Sequence, residues 1–544
     1  MMNKAKRFAA LLLTLCMTLC VLSSCGAAED EPQHKALKIC LPEEPVTLDP
    51  AMVTTDSEKI VVSHLYENLM KLSQNEDGTV TAVPALAKSY QCEDALDGTQ
   101  TYTFTLRDDA IWSDGTAVTA HDFVYAWQRM ADPATDSPNA AMLDMISGYS
   151  SARKNEDMSK LKISAPDDYT LVVKLSYQCL YFIDRICTAA ATMPVRQDVA
   201  EQENWSMNTA TLVTNGAYNM IDSWQDNVLT VLPREDYYDS RHLGPDALAF
   251  HFVSDTQEAM KLYEDSEVDF VLGLSEEVIA RQEEDWSADG YPVVGTLVIN
   301  QMADNVLPES LRLAMSLTID RTAAAAHLGE AYYAPADGLI PHGIAATTGG
   351  EFRQVVGPLI DIVPENAEEN MQAAKDLVAG QTMPATGDVT LIYESSAEND
   401  AVAQAMQTSW QEQLGLTVLL EGMDEESLQK ALKKGDFTVA MISAESDRND
   451  AACLLEDWCS SDSNNFAHIH NSAYDLLMRI SKAAGSAEAR DAFMGDAERL
   501  LLESGYVIPV WFRTQSWLLK NTMYGMFGDG TGVYYFHSVL ERAN

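Results

Sequence analysis

One stretch of the chain, Pro84 to Pro133, constrains the fold most, because it places several local structure signals in close succession. Residues 101–106 alternate between polar and apolar side chains, which predicts a half-buried strand with its apolar residues on one face. Asp114 and Gly115 then predict a turn, since both residue types favour the backbone conformations that turns require. A strand followed by a tight turn is therefore expected in this part of the fold.

The end of the same stretch predicts a helix. Thr119 and Asp122 have the spacing of a capping box, in which each side chain accepts a hydrogen bond from the other residue's backbone. The following residues carry an apolar stripe at helical spacing, Phe123, Trp127 and Met130. Pro133 ends the helix because proline removes a backbone donor.

Four short motifs run through this stretch in order: PALAKSY, YTFTLR, WSDGT and TAHDFVYAWQR. Together they resemble the signature region of the bacterial extracellular solute-binding proteins of family five, which feed oligopeptide and dipeptide ABC importers. Further segments similar to family motifs are LDP at 48–50, YENLM at 66–70, NGAY at 215–218 and YYD at 237–239. One departure is 234–236, where Arg-Glu-Asp replaces the usual asparagine-proline. The resemblance covers almost the whole chain from Leu37 onward.

This resemblance implies an α/β fold, a periplasmic-binding-protein-like clamp of two lobes with an extra domain inserted in the first lobe. Such proteins capture a ligand and release it unchanged, so no enzyme activity and no cofactor are expected. The implied partners are a peptide ligand and the permease and ATPase of an ABC importer, with the protein itself a monomer. The expected division is a signal peptide at 1–24, a lipid-anchored flexible tether at 25–36, the first (hinge) lobe at 37–80, 200–295 and 510–544, the extra domain at 81–199, and the second lobe at 296–509.

The segment 388–443 predicts an α/β lobe from its own pattern. Strands are expected at 389–393, 416–420 and 437–442, with helices between them at 397–414 and 425–434, each ended by a glycine. Strands that alternate with helices favour a mostly parallel sheet. Ligands of such sheets bind beyond the carboxyl ends of the strands. The polar loop at 443–450 falls at that place.

The N-terminus has the features of an export signal. Three cations precede an apolar run at 8–22, which at about fifteen residues is too short to span a membrane. Small residues then precede Cys25, as in a lipoprotein cleavage site, so Cys25 is the candidate for lipid attachment. An ordinary signal peptide with an incidental cysteine is the alternative. We expect an extracytoplasmic protein held to the cell membrane by its lipid.

The charge of the chain excludes nucleic acid as a partner. The formal net charge is −46, and without residues 1–24 it is near −49, since three cations and no acids are lost. Such a surface offers no cationic patch for phosphates. Beyond residue 25 six cysteines remain, and the nearest pairs, Cys179 with Cys187 and Cys453 with Cys459, leave two disulfides open as possibilities.

The resemblance also implies binding residues on both lobes. In relatives an aspartate in a loop of the second lobe receives the terminal ammonium of the peptide, and it corresponds to Asp447 here. Arg448 and Asn449 follow it, and Arg448 is a candidate either to neutralise Asp447 or to hold a ligand carboxylate. On the first lobe, the residues after Leu-Asp-Pro that line the cleft in relatives correspond to Thr54, Thr55 and Asp56. The tryptophan, tyrosine and proline of the family loop are replaced here, which leaves the exact ligand class open.

The same sequence also bears on other functions. Standard metalloprotease, serine-hydrolase and phosphate-loop motifs are absent from the sequence. His468 and His470 do not have a standard zinc spacing, and a strand with polar residues on one side is the expected structure there. The remaining alternatives share the clamp fold. They are a non-peptide solute such as a metal chelate, haem or sugar, or a surface sensor of peptides or pheromones without transport.

Overall fold

The computed structural model describes residues 36–76, 78–281, 286–302, 306–329, 331–446 and 448–542. The export signal, Cys25 and nearly all of the tether lie outside the described residues, and so does Asp447. Within the described ranges, none of the helices combines the length and the apolar character that a membrane-spanning helix needs.

Strands and helices both occur throughout the described residues. The strands are β1 Ala36–Leu41, β2 Met70–Gln74, β3 Val80–Pro84, β4 Ala87–Asp94, β5 Gln100–Leu106, β6 Ile163–Asp167, β7 Thr170–Leu175, β8 Tyr218–Gln225, β9 Val228–Pro233, β10 Ala247–Phe252, β11 Phe270–Leu272, β12 Trp286–Ile299, β13 Tyr333–Pro335, β14 Thr390–Glu394, β15 Leu419–Met423, β16 Val439–Glu445, β17 Val507–Leu519, β18 Met523–Tyr524, β19 Phe527–Gly528, β20 Tyr534–Tyr535 and β21 Leu540–Glu541. The α-helices are α1 Asp56–Leu65, α2 Ala120–Ala131, α3 Tyr149–Asn155, α4 Gln197–Ala200, α5 Thr256–Glu264, α6 Glu276–Arg281, α7 Glu309–Leu317, α8 Arg321–Leu328, α9 Phe352–Val356, α10 Ala367–Val378, α11 Ala397–Leu414, α12 Glu425–Lys434, α13 Ala452–Glu456, α14 Ser472–Lys482 and α15 Ala487–Glu503.

Two long antiparallel strands, β12 and β17, join the lobes. The order of the large sheet is β15-β14-β16-β12-β17-β11-β1-β10-β9-β8, with β13 paired to β17. Residues 286–290 of β12 pair with 514–518 of β17 on the side of the first lobe, and 294–298 pair with 507–512 on the side of the second. The ladder shifts register between Gly290 and Val294. We place the hinge at this interruption, because the regular pairing of the two strands breaks there, where they pass from one lobe to the other.

Each lobe has its own hydrophobic core. The largest cluster unites the first lobe with the extra domain and includes the C-terminal residues Tyr534, Tyr535 and Phe536. In the second lobe, one cluster lies around Trp410 and another around Trp458, and strands of the same sheet contribute to both. Helices therefore pack on both faces of the second-lobe sheet, and the mixed α/β class expected from the sequence is confirmed.

The local signals in 84–133 are confirmed. Strand β5 buries Tyr102, Phe104 and Leu106 on one face, and Gly115 has the positive φ of a turn glycine. Helix α2 begins after Thr119 with the predicted capping box, in which the backbone N–H of Thr119 donates to Asp122 Oδ2 at 2.8 Å. These elements formed as predicted because their signals act over three or four residues.

The segment 388–443 shows the limits of the same reasoning. Helices α11 and α12 have the predicted bounds, since left-handed Gly415 and Gly435 fix where they end. The predicted strand at 416–420 was wrong by three residues and that at 437–442 by two to three. The sheet is also mixed rather than mostly parallel, because β14 pairs in parallel with β15 and β16 whereas β16 pairs antiparallel with β12. Strand bounds follow from the partner strand, which the local sequence does not specify.

Two smaller expectations have a clear outcome. Neither of the two possible disulfides is formed among the six described cysteines. The strand expected at His468–His470 was wrong: the segment is irregular, and His468 adopts a left-handed backbone conformation.

Candidate functional site

A cavity of about 710 Å³ lies between the lobes, and we call it the cleft. The first lobe contributes Val53 and Lys59 to its wall, and the second lobe contributes Glu445 and Arg448. Gly290 of the hinge strand β12 also lines it. Ligand pockets of proteins typically enclose about 300–1,000 Å³, so the cleft has the size of a binding site. Its position beside the hinge allows the lobes to close on a ligand.

Charged side chains of both signs line the cleft. The acids are Asp184, Asp289, Glu351, Glu445 and Asp529, and the bases are Lys59, Arg185 and Arg448. A wall with charges of both signs suits a ligand that itself carries both an ammonium and a carboxylate, because complementary charges fix its orientation.

Thr54 and Thr55 act mainly in starting helix α1. Thr55 is the N-cap, and its hydroxyl accepts from the backbone N–H of Glu58 at 3.2 Å. The Glu58 carboxylate accepts in return from the backbone N–H groups of Thr54 and Thr55 at 2.8 and 3.1 Å. Their neighbours Val53 and Lys59 line the cleft, so the wall is formed next to the predicted residues. A ligand-binding role for Thr54 and Thr55 stays a prediction.

Asp56 links the first lobe to both hinge strands. Gln515 of β17 donates to Asp56 Oδ2 at 3.0 Å, and Lys59 lies 3.9 Å from Oδ1. Burial raises the pKa of Asp56 to about 6, although the Lys59 charge and hydrogen bonds from Tyr291 of β12 and Gln515 lower it. The Asp56 carboxylate therefore lies against the hinge strands, and its neighbours offset only part of the cost of burying its charge.

Arg448 and Asn449 lie at the carboxyl end of β16 and line the cleft, where the sequence placed them. The guanidinium of Arg448 lies 5.8 Å from the ring centre of Tyr181. Asn449 Oδ1 accepts from the backbone N–H of Ala345 at 2.6 Å, and its Nδ2 donates to the carbonyl of Asp529. Asn449 thus joins the second lobe to the C-terminal segment that packs on the first.

A buried ion pair supports this loop, and the sequence did not reveal it. Arg490 of α15 donates to both carboxylate oxygens of Asp450 at 2.9 and 2.8 Å, and both side chains are at most 4% exposed. Burial raises the pKa of Asp450, but the charge and hydrogen bonds of Arg490 outweigh it, and the net pKa is lowered. The Arg490 guanidinium lies 4.7 Å from the Tyr181 ring centre. Tyr181 of the extra domain therefore contacts two arginines of the second lobe.

The C-terminal loop, residues 528–533, is the second feature that sequence reasoning missed. Asp529 Oδ1 accepts from the backbone N–H groups of Thr531 and Val533 at 2.8 and 3.3 Å, which gives the loop its shape. Gly530 has φ +81, and a Cβ there would lie 2.2 Å from the carbonyl oxygen of Gly343 in the second lobe. Only glycine allows this approach. The alternation of glycines in Gly528–Gly532 with an aspartate and a threonine was the available signal.

Three comparisons with known proteins bear on this site. A family model described as "Bacterial extracellular solute-binding proteins, family 5 Middle" matches residues 81–466. The periplasmic murein peptide-binding protein MppA of Escherichia coli is 28% identical over 492 residues, which cover 89% of this chain and 88% of that protein. The oligopeptide-binding protein OppA of Bacillus subtilis is 26% identical, over 99% of this chain and 100% of that protein. The unliganded open form of the murein tripeptide-binding protein MppA superimposes with a TM-score of 0.79 at 26% identity, over 94% of this chain and 98% of that one.

Proposed function

The chain belongs to family 5 of the bacterial extracellular solute-binding proteins, and we propose that it is the substrate-binding component of an ABC importer for oligopeptides. Members of this family bind solutes and are not enzymes. The relatives named above bind murein peptides and oligopeptides. The protein captures a short peptide between its lobes and delivers it, chemically unchanged, to a permease driven by an ATPase.

The charge distribution of the cleft is the observation that carries this proposal. A free peptide has an ammonium at one end and a carboxylate at the other, and the cleft presents acids and bases from both lobes. The peptide backbone between them offers donors and acceptors whatever its side chains are, so a cleft of this kind accepts many sequences. Closure about the hinge in β12 and β17 would bury the ligand, and the importer would recognise the closed form.

We assign charged groups of the ligand to the loop after β16. Asp447 receives the terminal ammonium, and Arg448 of the cleft wall holds a carboxylate of the ligand. A hydrogen bond to a charged group contributes about 1.5–3 kcal/mol, which is about 10- to 150-fold in affinity. In this proposal Thr54, Thr55 and Asp56, which lie between Val53 and Lys59 of the opposing wall, also contact the ligand.

The domain division and the membrane attachment belong to the same proposal. The first lobe comprises 37–80, 200–295 and 510–544, the extra domain 81–199 and the second lobe 296–509. The separate cores of the two lobes support a boundary within β12 and β17. A lipid on Cys25 and a tether to residue 36 hold a monomer at the outer face of the cell membrane.

Calorimetric titration with a free tripeptide and its N-acetylated form tests the proposed role of the ammonium. We expect the free tripeptide to bind about 10- to 150-fold more tightly than the acetylated one, because acetylation removes the charge that Asp447 receives. Asp447→Asn should abolish most of this difference. Asp436→Asn is the matched control, since Asp436 is an exposed acid of the second lobe that does not line the cleft.

The outcomes separate the parts of the proposal. If free and acetylated peptides bind equally, the role of Asp447 is wrong while peptide binding stands. If no peptide binds and native mass spectrometry of the purified protein shows a bound sugar, haem or metal chelate, peptide import itself is wrong.

A further inference from the structure

The extra domain contacts the second lobe beside the cleft. The ring centre of Tyr181 lies 4.7 Å from the guanidinium of Arg490 and 5.8 Å from that of Arg448, and we call these three residues the clasp. Tyr181 belongs to the hydrophobic cluster of the first lobe and the extra domain. Both arginines belong to the second lobe, Arg448 after β16 and Arg490 in α15. The lobes are therefore joined at the clasp as well as along the hinge strands.

The segment that carries Tyr181 faces the second lobe. The hydroxyl groups of Tyr177 and Tyr181 hydrogen-bond to each other at 2.8 Å, which restrains the ring of Tyr181. A π-helical turn, Phe182–Ile186, follows directly, and such turns are frequent at functional sites. Its Arg185 lines the cleft and donates to the carbonyl of Ala346 in the second lobe at 3.5 Å. The extra domain thus meets the second lobe at two neighbouring places along this segment.

The clasp joins two cations to a neutral ring in a nearly dry environment. Burial raises the pKa of Tyr181 well above its usual range, so its hydroxyl keeps the proton. Tyr181 is 6% exposed and the Arg490 side chain is 3% exposed. A guanidinium within about 6 Å of a ring centre is attracted to the face of the ring, and the attraction is strongest where water is excluded.

The two arginines connect the clasp to different parts of the second lobe. Arg490 is fixed by its two hydrogen bonds to Asp450, so it is a rigid attachment point. Arg448 lines the cleft, and its distance from Tyr181 is already close to the limit of the interaction. Even a small rotation of the lobes about the hinge would therefore weaken the clasp.

From these contacts we propose that the extra domain gates the cleft, and that the clasp must break each time a peptide enters or leaves. Ligand exchange requires the lobes to move apart, and Tyr181 ties the second lobe to the extra domain while they are together. The clasp is present in the free and in the peptide-bound protein, so it slows entry and release alike. This inference rests on the proposed function, because the gated ligand is the peptide of the cleft.

Stopped-flow kinetics with trialanine test the gate. Tyr181→Leu removes the ring, so the association and dissociation rate constants should both rise by about 2- to 30-fold, the factor that one such contact contributes. The dissociation constant should change by less than about threefold, since it is the ratio of the two rate constants. Tyr181→Phe keeps the ring and should keep both rate constants of the parent protein.

Tyr102→Leu is the matched control. Tyr102 is another buried tyrosine of the extra domain, and its ring packs on Phe104 and Phe182 of the same domain. This variant loses a buried ring without touching the clasp, so both rate constants should stay unchanged. Tyr181→Met retains an apolar side chain of similar length and takes the place of Tyr181→Leu if that variant fails to fold.

Hydrogen exchange of the protein without peptide tests the clasp itself. In Tyr181→Leu the backbone amides of residues 448–456 should exchange about 2- to 30-fold faster, because this part of the second lobe loses its contact with the extra domain. Tyr102→Leu should leave their exchange unchanged. Unchanged exchange in Tyr181→Leu would show that the clasp does not tie the lobes together.

The kinetic results separate the gate from other roles of Tyr181. A rise in only one rate constant overturns the gate, since the clasp would then stabilise only the free or only the bound protein. Equal rate constants in Tyr181→Leu and the parent, or equal increases in Tyr181→Leu and Tyr102→Leu, also overturn it while the proposed function stands. If no tripeptide binds the parent protein, the proposed function fails and the gate for peptides fails with it, whereas hydrogen exchange still decides whether the clasp joins the lobes.

Discussion

Asp450 and Asp56 each follow or precede residues that line the cleft, on opposite lobes, and their surroundings differ sharply. Asp450 is fully buried, but Arg490 donates to both of its oxygens, and its pKa is lowered. Asp56 has one amide donor in Gln515 and a lysine at 3.9 Å, and its pKa is raised. The pKa values of these two carboxylates thus shift in opposite directions, because Asp450 has a bidentate cation and Asp56 does not.

This difference distinguishes a fixed part of the second lobe from the region in which the lobes move. The Asp450–Arg490 pair lies within the second lobe and fixes the loop that carries Arg448 and Asn449. Asp56 contacts residues of both hinge strands, where the lobes must rotate. An acid with incomplete compensation in that position makes the arrangement of the lobes sensitive to its charge.

Removal of Arg490 should have the largest effect. Arg490→Leu leaves the carboxylate of Asp450 buried without its cation, which costs about 3–5 kcal/mol in the free energy of unfolding. Chemical denaturation of the purified variant measures the loss. The double variant Asp450→Leu with Arg490→Leu should recover more than half of it, since no charge is then buried. A loss below about 1 kcal/mol in the single variant would show that the pair is not structural.

Asp56→Asn should raise the free energy of unfolding, by an amount smaller than the loss expected for Arg490→Leu. The pKa of Asp56 is about 6 in the folded protein against 3.8 in the unfolded chain, so the folded protein binds the proton more tightly. The stabilisation from this bound proton is fully present below pH 3.8 and is lost as the pH rises through 6. The charge of Asp56 therefore costs about 3 kcal/mol at pH 7. Asparagine removes that cost, and the variant should be more stable than the parent at pH 7.

Denaturation midpoints between pH 4 and pH 8 measure this prediction. The advantage of Asp56→Asn should shrink as the pH falls from 6 towards 4, where Asp56 of the parent is itself protonated. Asp436→Asn, at an exposed acid, should show no such trend. A constant difference at every pH would contradict the assignment of a raised pKa to Asp56.

Asn449→Ala should have the smallest effect. It removes two neutral hydrogen bonds, to Ala345 and to Asp529, of which each contributes about 0.5–1.5 kcal/mol. Because Asn449 is half-buried, we expect the free energy of unfolding to fall by about 1 kcal/mol, the low end of the range for two such bonds. Bound peptide should also be released faster. Stopped-flow dissociation measures the rate. Asn464→Ala, at an exposed asparagine of the same lobe, is the control, and equal release rates for both variants would exclude Asn449 as a contact between lobes.

The sequence predicted the elements whose signals are local. The capping box at Thr119 and the helix ends at Gly415 and Gly435 came from residues that act on their immediate neighbours. The motifs of 84–133 also identified the family and, through it, the two-lobed clamp. For the site, the strand-end rule pointed to the loop at 443–450, and the resemblance to the family singled out Arg448 and Asn449, which line the cleft.

Only the tertiary structure decided which residues distant in sequence contact one another. Arg490 follows Asp450 by 40 positions and Asp529 follows Asn449 by 80, and no local pattern links either pair. The approach of Gly530 to Gly343 also depends on how the C-terminal segment returns to the first lobe. Turn and cap energies are set within a few residues, so sequence determines them directly. The walls of a cleft are set by packing across the whole chain, and only the folded arrangement of the lobes determines which side chains meet there.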